Sequence, residues 1–328
     1  MSVEIIAEIA QGYEGDAKLT ELLTKGALAA NADAVKLQLV YADELCVPTY
    51  PYFGLFKSLE MRDEVWGDVV KNVHSAGKRI YFDLYGERSL TLARKLKVDG
   101  VKISTTDFYN HALMEQAFAE FDTAFVSIGG VPIEDVDEMM HRFPLPKKFT
   151  LMHGFQAEPT ETADNNLARI ATLRRRYPEI GIGFMDHSLG SSIEAFYLPL
   201  IALGLGVSAI EKHITLDYSL QIEDYISALS VDRFGEFVKI IRAMEPALGH
   251  ADLSLTSKEI EYKKRAGKVV VARRDLPAGV RIAEGDVVLK RVSVTPSESH
   301  YRQVTPVLGK TISVSLKKDC PFEEGFMQ

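Results

Sequence analysis

Residues 5–40 read IIAEIAQGYEGDAKLTELLTKGALAANADAVKLQLV. The stretch opens on a short apolar run, Ile5 to Ala10. It passes into leucines and alanines at helical spacing over Lys18 to Ala30, and closes on a second apolar run, Ala34 to Val40. Short apolar runs fit buried strands, and apolar residues three and four apart fit a helix with one buried face. The unit is therefore strand, helix, strand. Outward from it the same alternation recurs to about residue 247, with strand-like runs at Arg79 to Tyr85, Gly100 to Ser104, Ala124 to Gly129, Phe149 to Gly154, Ile180 to His187 and Ser208 to Ile214. Helical periodicity fills the gaps over Asp63 to Ala76, Arg88 to Leu96, Ala112 to Phe121, Ile133 to Arg142, Ala163 to Arg176, Ile193 to Leu203 and Val231 to Met244. Eight such units predict an α/β fold, a (β/α)8 TIM barrel, over residues 1–249. An open doubly wound sheet is the alternative, but no glycine-rich dinucleotide turn follows the first strand.

After Gly249 the composition changes. Residues 250–266 are polar and charged and read as an exposed, partly helical linker. Residues 267–328 carry short β runs (Val269 to Val271, Val287 to Leu289, Thr311 to Val314) and a turn at Pro277-Ala278-Gly279, which predicts a small β-rich domain. With 328 residues, 46% of them hydrophobic, the chain can build one large core and this satellite. A net charge of -8 offers no basic footprint for nucleic acid or an anionic membrane. No run approaches the roughly 20 apolar residues of a membrane span. The only cysteines, Cys46 and Cys320, lie far apart, so neither a disulfide framework nor a thiolate metal cluster is expected; a cytoplasmic setting is the default.

In a barrel the chemistry collects where strands end, because the βα loops meet there. Nearly every predicted strand here ends on a polar or charged residue: Glu8, Lys36 with Gln38, Asp83, Lys102 with Thr105, Ser127, His153 with Gln156, Asp186-His187, and Glu211 with His213. Lys36 lies between Val35 and Leu37 and shares a face with Gln38, which favours a buried task. Two inward lysines, Lys36 and Lys102, call for an anion such as a phosphate with a carboxylate. Glu8 either pairs with one of them or takes part in catalysis. His187 and His213 stand on consecutive strands beside Glu211, an arrangement that favours a divalent metal over two structural histidines. His153 lacks such support and reads as structural. Asp107 and Asp224, taken alone, read as exposed acids, and Tyr50 to Phe53 as loop packing or a lid.

In their order these residues resemble the sialic acid synthase family through nearly the whole chain. The carriers are Ala7-Glu8-Ile9-Ala10, Val35-Lys36-Leu37-Gln38, Lys102-Ile103-Ser104-Thr105-Thr106-Asp107, Ser127-Ile128-Gly129-Gly130, Leu151-Met152-His153-Gly154 with Glu158-Pro159-Thr160, Asp186-His187-Ser188, and Glu211-Lys212-His213. Asp275-Leu276-Pro277-Ala278-Gly279 and Lys290-Arg291 are similar to the family's C-terminal antifreeze-like (SAF) domain. The resemblance implies condensation of phosphoenolpyruvate with a sugar aldehyde to a 2-keto-3-deoxy sugar acid. It implies that His187 and His213 bind manganese or magnesium, that Lys36, Gln38, Lys102, Thr105 and Ser127 hold phosphoenolpyruvate, and that Glu8 and Glu211 manage water and protons. It further implies that Gln156, Glu158, Asp107 and Asp224 face the sugar. Arg291 would reach a partner's barrel in a domain-swapped homodimer. The chain departs from the family pattern at Gly12-Tyr13, Asp83, Gln156, Glu158 and Met185, mostly on the acceptor side, which implies an altered acceptor. A catalytically silent relative that binds a sugar acid or another protein, and a metal-dependent pyruvate aldolase, are the competing expectations.

Overall fold

The computed structural model describes residues 2–293 and 299–327. Eight parallel strands pair in chain order: β1 (Glu4–Ala10), β2 (Ala34–Leu39), β3 (Arg79–Leu84), β4 (Gly100–Ile103), β5 (Thr123–Ser127), β6 (Lys148–His153), β7 (Gly181–Asp186) and β8 (Ala209–Thr215). β1 also pairs with β8, which closes the sheet into a barrel and rules out the open doubly wound alternative. Helix α1 (Ala17–Ala29) follows β1; α2 (Ala42–Leu45), α3 (Phe53–Ser58) and α4 (Asp63–Ser75) follow β2. One helix follows each later strand: α5 (Glu87–Leu96), α6 (His111–Glu120), α7 (Ile133–Arg142), α8 (Ala168–Arg176) and α9 (Glu194–Gly204). After β8, a short β9 (Leu229–Ser230) runs into α10 (Val231–Met244).

The period of two sorts the strand residues into two cores. Outward positions such as Val35, Leu37, Phe82, Val101, Phe184 and Ile210 pack against the helices. Inward positions form an apolar plug of Ile6, Ala34, Tyr81, Phe125, Met152, Met185 and Ala209 inside the barrel. Two residues further along, toward the C-terminal ends of the strands, the inward side chains become Glu8, Lys36, Asp83, Ser127 and Glu211, joined by Lys102 from β4. The plug is thus the floor on which the polar layer rests.

One predicted helix is broken. The expected span from Ala163 to Arg176 is instead a 3-10 turn, Thr162–Asn165, followed by Asn166 at φ 45° and then α8. A left-handed residue interrupts helical hydrogen bonding, and asparagine tolerates that conformation better than most.

A second compact unit begins at His250. Its helix α11 (Ser257–Ala266) is capped by Thr256 and Glu259 and buries no residue. Strands β10 (Val269–Ala272) and β11 (Val287–Lys290) pair antiparallel, over a core that includes Val270, Leu276, Ile282 and Phe322. The expected run from Thr311 to Val314 forms no continuous strand, because Thr311 bridges to Arg281 and Ile312 to Met327. Its bridging partner changes from one residue to the next, so no ladder extends.

Candidate active site

At the C-terminal end of the barrel lies a cavity of about 700 Å³. Of the residues singled out from sequence, Glu8, Gln38, Lys102, Thr105, Ser127, Gln156, His187, Glu211 and His213 line it. Asp83 and Met185 do so as well. The register explains the convergence: Glu8 lies opposite Lys36 on one side and His213 on the other, and Asp83 opposite Lys102. A bulge after Glu8 puts Ala10 at φ 51°, and the Ala10 N–H donates to Glu8 Oε1 at 2.6 Å, which fixes that carboxyl.

Lys36 does not reach the cavity. It is fully buried beneath it, where its ammonium contacts Glu8, lies 2.5 Å from Asp83 Oδ2 and sits 3.6 Å from Glu211 Oε2. Lys102 lies on the lining, 2.6 Å from Glu211 Oε1 and 4.0 Å from Asp83. Three carboxyl groups therefore interlock with two ammonium groups in a low-dielectric layer, where each loses hydration and depends on the others. Glu8 is pushed up to about 8, chiefly by burial, with the Lys36 charge opposing. For Glu211 burial acts in the same raising sense, but the ammonium groups of Lys102 and Lys36 outweigh it and hold the carboxyl below its ordinary value. Two carboxyls of one layer are thus driven apart in acidity.

His187 and His213 stand with ring centroids 5.1 Å apart, and neither Nδ1 has a hydrogen-bond partner. Burial is the main cause that pushes His187 down to about 4 and His213 well below its ordinary value. Both rings are neutral at pH 7. A buried neutral imidazole with an unpartnered nitrogen is the form that ligates a divalent ion, so this pair fits one. Among the described residues no group of three or more His, Cys, Asp or Glu side chains is set to hold a metal, so the protein would supply two ligands and leave other positions open.

The neutral assignment has a measurable consequence. Below about pH 6.5 the unfolded chain protonates His187 while the folded chain does not until about pH 4. The stabilisation present above 6.5 therefore drains away across that window, by about 3 kcal/mol for this residue alone. His213 acts in the same direction. Denaturant titrations of chelator-treated protein between pH 7 and 4 should show a steep loss, and His187→Gln should flatten it. Equal slopes for both proteins would remove the neutral assignment.

The remaining candidates are placed less centrally. Thr105 and Ser127 join through their hydroxyls at 2.9 Å, and Gln38 accepts from Gln11 at 2.8 Å. Gln156 donates to Glu158 at 2.7 Å and to Asp224 at 2.9 Å, so those two acids connect to the cavity through it without lining it. Asp224, pushed up to about 7 by burial first and Glu158 second, lies 4.0 Å from His213 Nδ1. Asp107 accepts from Asn110 at 3.0 Å and is not on the lining. Arg291 belongs to the second unit, where its Nε donates to the Ala266 carbonyl at 3.0 Å. His153 is buried and its Nε2 lies 2.9 Å from the Asn165 carbonyl oxygen.

Sequence reasoning passed over Tyr85, Phe155, Asp164 and Arg169, all of which line the cavity. Tyr85 follows β3 directly, two residues beyond Asp83, and was legible from the alternation. Arg169 was not, because it lay inside the helix that Asn166 interrupts.

A closed parallel barrel with an acid, ammonium and imidazole layer at its C-terminal mouth defines the (β/α)8 enzyme class. The chain belongs to the NeuB family, which it matches over residues 23–252, and residues 267–324 match the SAF domain. It is 25% identical to the N,N'-diacetyllegionaminic acid synthase of Legionella pneumophila, over 96% of this chain and 92% of that one. It is 26% identical to the human N-acetylneuraminate-9-phosphate synthase, over 96% and 90%. The crystal structure of N-acetylneuraminic acid synthetase from Leptospira borgpetersenii superposes with a TM-score of 0.73 at 26% identity, covering 80% of this chain and 92% of that one.

Proposed function

We propose that the protein joins phosphoenolpyruvate to a sugar aldehyde, releasing phosphate and a 2-keto-3-deoxy, nonulosonic-type sugar acid. The observation that carries this reading is the meeting, in one layer, of two neutral imidazoles, two ammonium groups and two carboxyls of opposite acidity. The names of the relatives, as acid synthases, support it.

Lys102, Thr105 and Ser127 would hold phosphoenolpyruvate, with Lys36 acting from below through the carboxyls it pairs with. The enol carbon attacks the aldehyde carbon, and the new alkoxide takes a proton. Glu8, which retains its proton to about pH 8, is suited to give it. Water adds to the cationic carbon left behind, and its proton goes to Glu211, the carboxyl kept ionised by two ammonium groups. Cleavage of the C–O bond to the phosphate group, with the proton of the new hydroxyl passing to the departing phosphate, then frees phosphate and leaves the ketone. His187 and His213 would hold a divalent ion, manganese or magnesium, which when bound supplies Lewis-acid polarisation of the aldehyde oxygen. Glu158 and Asp224, gathered on Gln156, favour an acceptor rich in hydroxyls or bearing an amino group. A cytoplasmic homodimer in which Arg291 serves a second copy's cavity belongs to the same proposal, and the exposure of that side chain is compatible with it.

The test is phosphate release from phosphoenolpyruvate and manganese in the presence of a panel of hexose, amino-sugar and acetamido-sugar aldehydes. Release should depend on one acceptor class, and Glu211→Gln should lower it by about 10²–10⁴-fold. Acceptor-independent release, or none, rules the condensation out.

A further inference from the structure

Of the two cations on the cavity lining, one is paired and one is not. Lys102 is engaged by Glu211 and Asp83, and Lys36 lies below among three carboxyls. Arg169 is the other cation on the lining, and among the described residues its guanidinium makes no ion pair and no hydrogen bond. Its backbone N–H is already engaged by the Asn166 carbonyl at 2.9 Å, so what it offers to a ligand is the guanidinium with its five donors.

Its placement follows from the local backbone. The turn at Asn166, φ 45°, ends the preceding 3-10 segment and makes Arg169 the second residue of α8, where the helix dipole favours an anion. Asp164 and Asn166 border the same cavity, and Asp164 forms no ion pair with Arg169. Gly130 is a bare point of the lining, where a Cβ would meet no other atom within 4 Å, while Gly129 beside it is packed tightly against the Gly154 carbonyl. Space and an unengaged cation are therefore present together. The charge is felt at the end of β6, where His153 is held below its ordinary value by burial first and by Arg169 in addition, against the opposing Asn165 carbonyl.

On these grounds we infer that Arg169 recognises a phosphate monoester at the mouth of the cavity. The planar fork of a guanidinium matches two phosphate oxygens at once, which an ammonium group does not. On the floor both ammonium groups are already engaged by carboxyl groups, whereas the Arg169 guanidinium is not engaged by any. The phosphate could be that of phosphoenolpyruvate, with its carboxylate toward Lys102, or one carried by the acceptor. The inference rests on the reading of this cavity as the substrate site.

Calorimetric titration of the full chain with manganese present separates the sources, using phosphoenolpyruvate, glucosamine 6-phosphate and glucosamine as probes. Arg169→Ala should weaken a phosphorylated probe by about tenfold or more and leave glucosamine unchanged, and Arg169→Lys should recover part of the loss. Loss confined to phosphoenolpyruvate assigns the contact to that substrate; loss confined to glucosamine 6-phosphate assigns it to the acceptor. Arg169 is exposed, so truncation should spare the fold, which circular dichroism checks. Unchanged affinity for both phosphorylated probes, or binding of neither by the natural protein, overturns the inference. Acceptor-dependent phosphate release with unaltered KM values in Arg169→Ala would sink it while leaving the condensation intact. Arg169-dependent binding without any release would do the reverse.

Discussion

Replacing Lys212 by methionine is expected to destabilise the barrel by about 3–5 kcal/mol, although the residue lies between two site residues and touches no substrate. Alternation along β8 turns Lys212 away from the side that carries Glu211 and His213, into the layer between barrel and helices where, apart from Asp186, the outward strand positions nearby are apolar. There it is fully buried. Its ammonium lies 2.9 Å from Asp186 Oδ2 and reaches the Asp186 and Ser188 carbonyl oxygens at 3.5 and 3.3 Å. Asp186 Oδ1 accepts the Ser188 N–H at 2.9 Å, so one ion pair braces both sides of His187. Removing only the cation strands the Asp186 carboxylate in an apolar layer. Removing both charges, as in Lys212→Met with Asp186→Leu, leaves no unpaired charge and should recover most of the stability. Urea titrations of the two variants decide it. A single variant as stable as the natural protein would show that the pair contributes little, and a double variant no better than the single would place the loss elsewhere.

The two imidazole-bearing strands also show what was legible beforehand and what was not. Strand order, the inward facing of Glu8, Lys36, Lys102 and Glu211, and the nearness of His187 to His213 follow from a period of two and from parallel neighbours, both local properties of the sequence. The partners of Lys36 do not. That Glu8, Asp83 and Glu211 from three different strands all close on one ammonium depends on the stagger of the barrel, which no single stretch encodes. Lys36 therefore reads in sequence as a free anion-binding cation and is found in the structure as the hub of a neutralised layer. The same limit hid Arg169, whose exposure to the cavity turns on one left-handed residue, Asn166. Asp107 shows the reverse: a motif places it, but its carboxyl faces Asn110.

The hub position of Lys36 makes its removal the most damaging change to the chemistry. Lys36→Met leaves Glu8, Asp83 and Glu211 with Lys102 as their single ammonium partner. Two consequences follow. Stability should fall by about 3–5 kcal/mol, since the buried carboxyls at the base of the cavity lose a countercharge. The acidity of Glu211 should fall too, because Lys36 is one of the two cations that hold it below its ordinary value against burial. A carboxyl that is ionised at lower pH in the natural protein would then keep its proton to higher pH, so less of the basic group needed for water addition is available. Activity at pH 7 should drop by about 10²–10⁴-fold, and the ascending limb of the pH–rate profile should move to higher pH. Asp83→Asn gives the contrast: it removes one of three carboxyls, leaves the ammonium in place and should hold Glu211 at least as acidic. A pH–rate profile for Lys36→Met that coincides with the natural one, at any level of activity, would separate Lys36 from the acidity of Glu211 and confine it to a structural role.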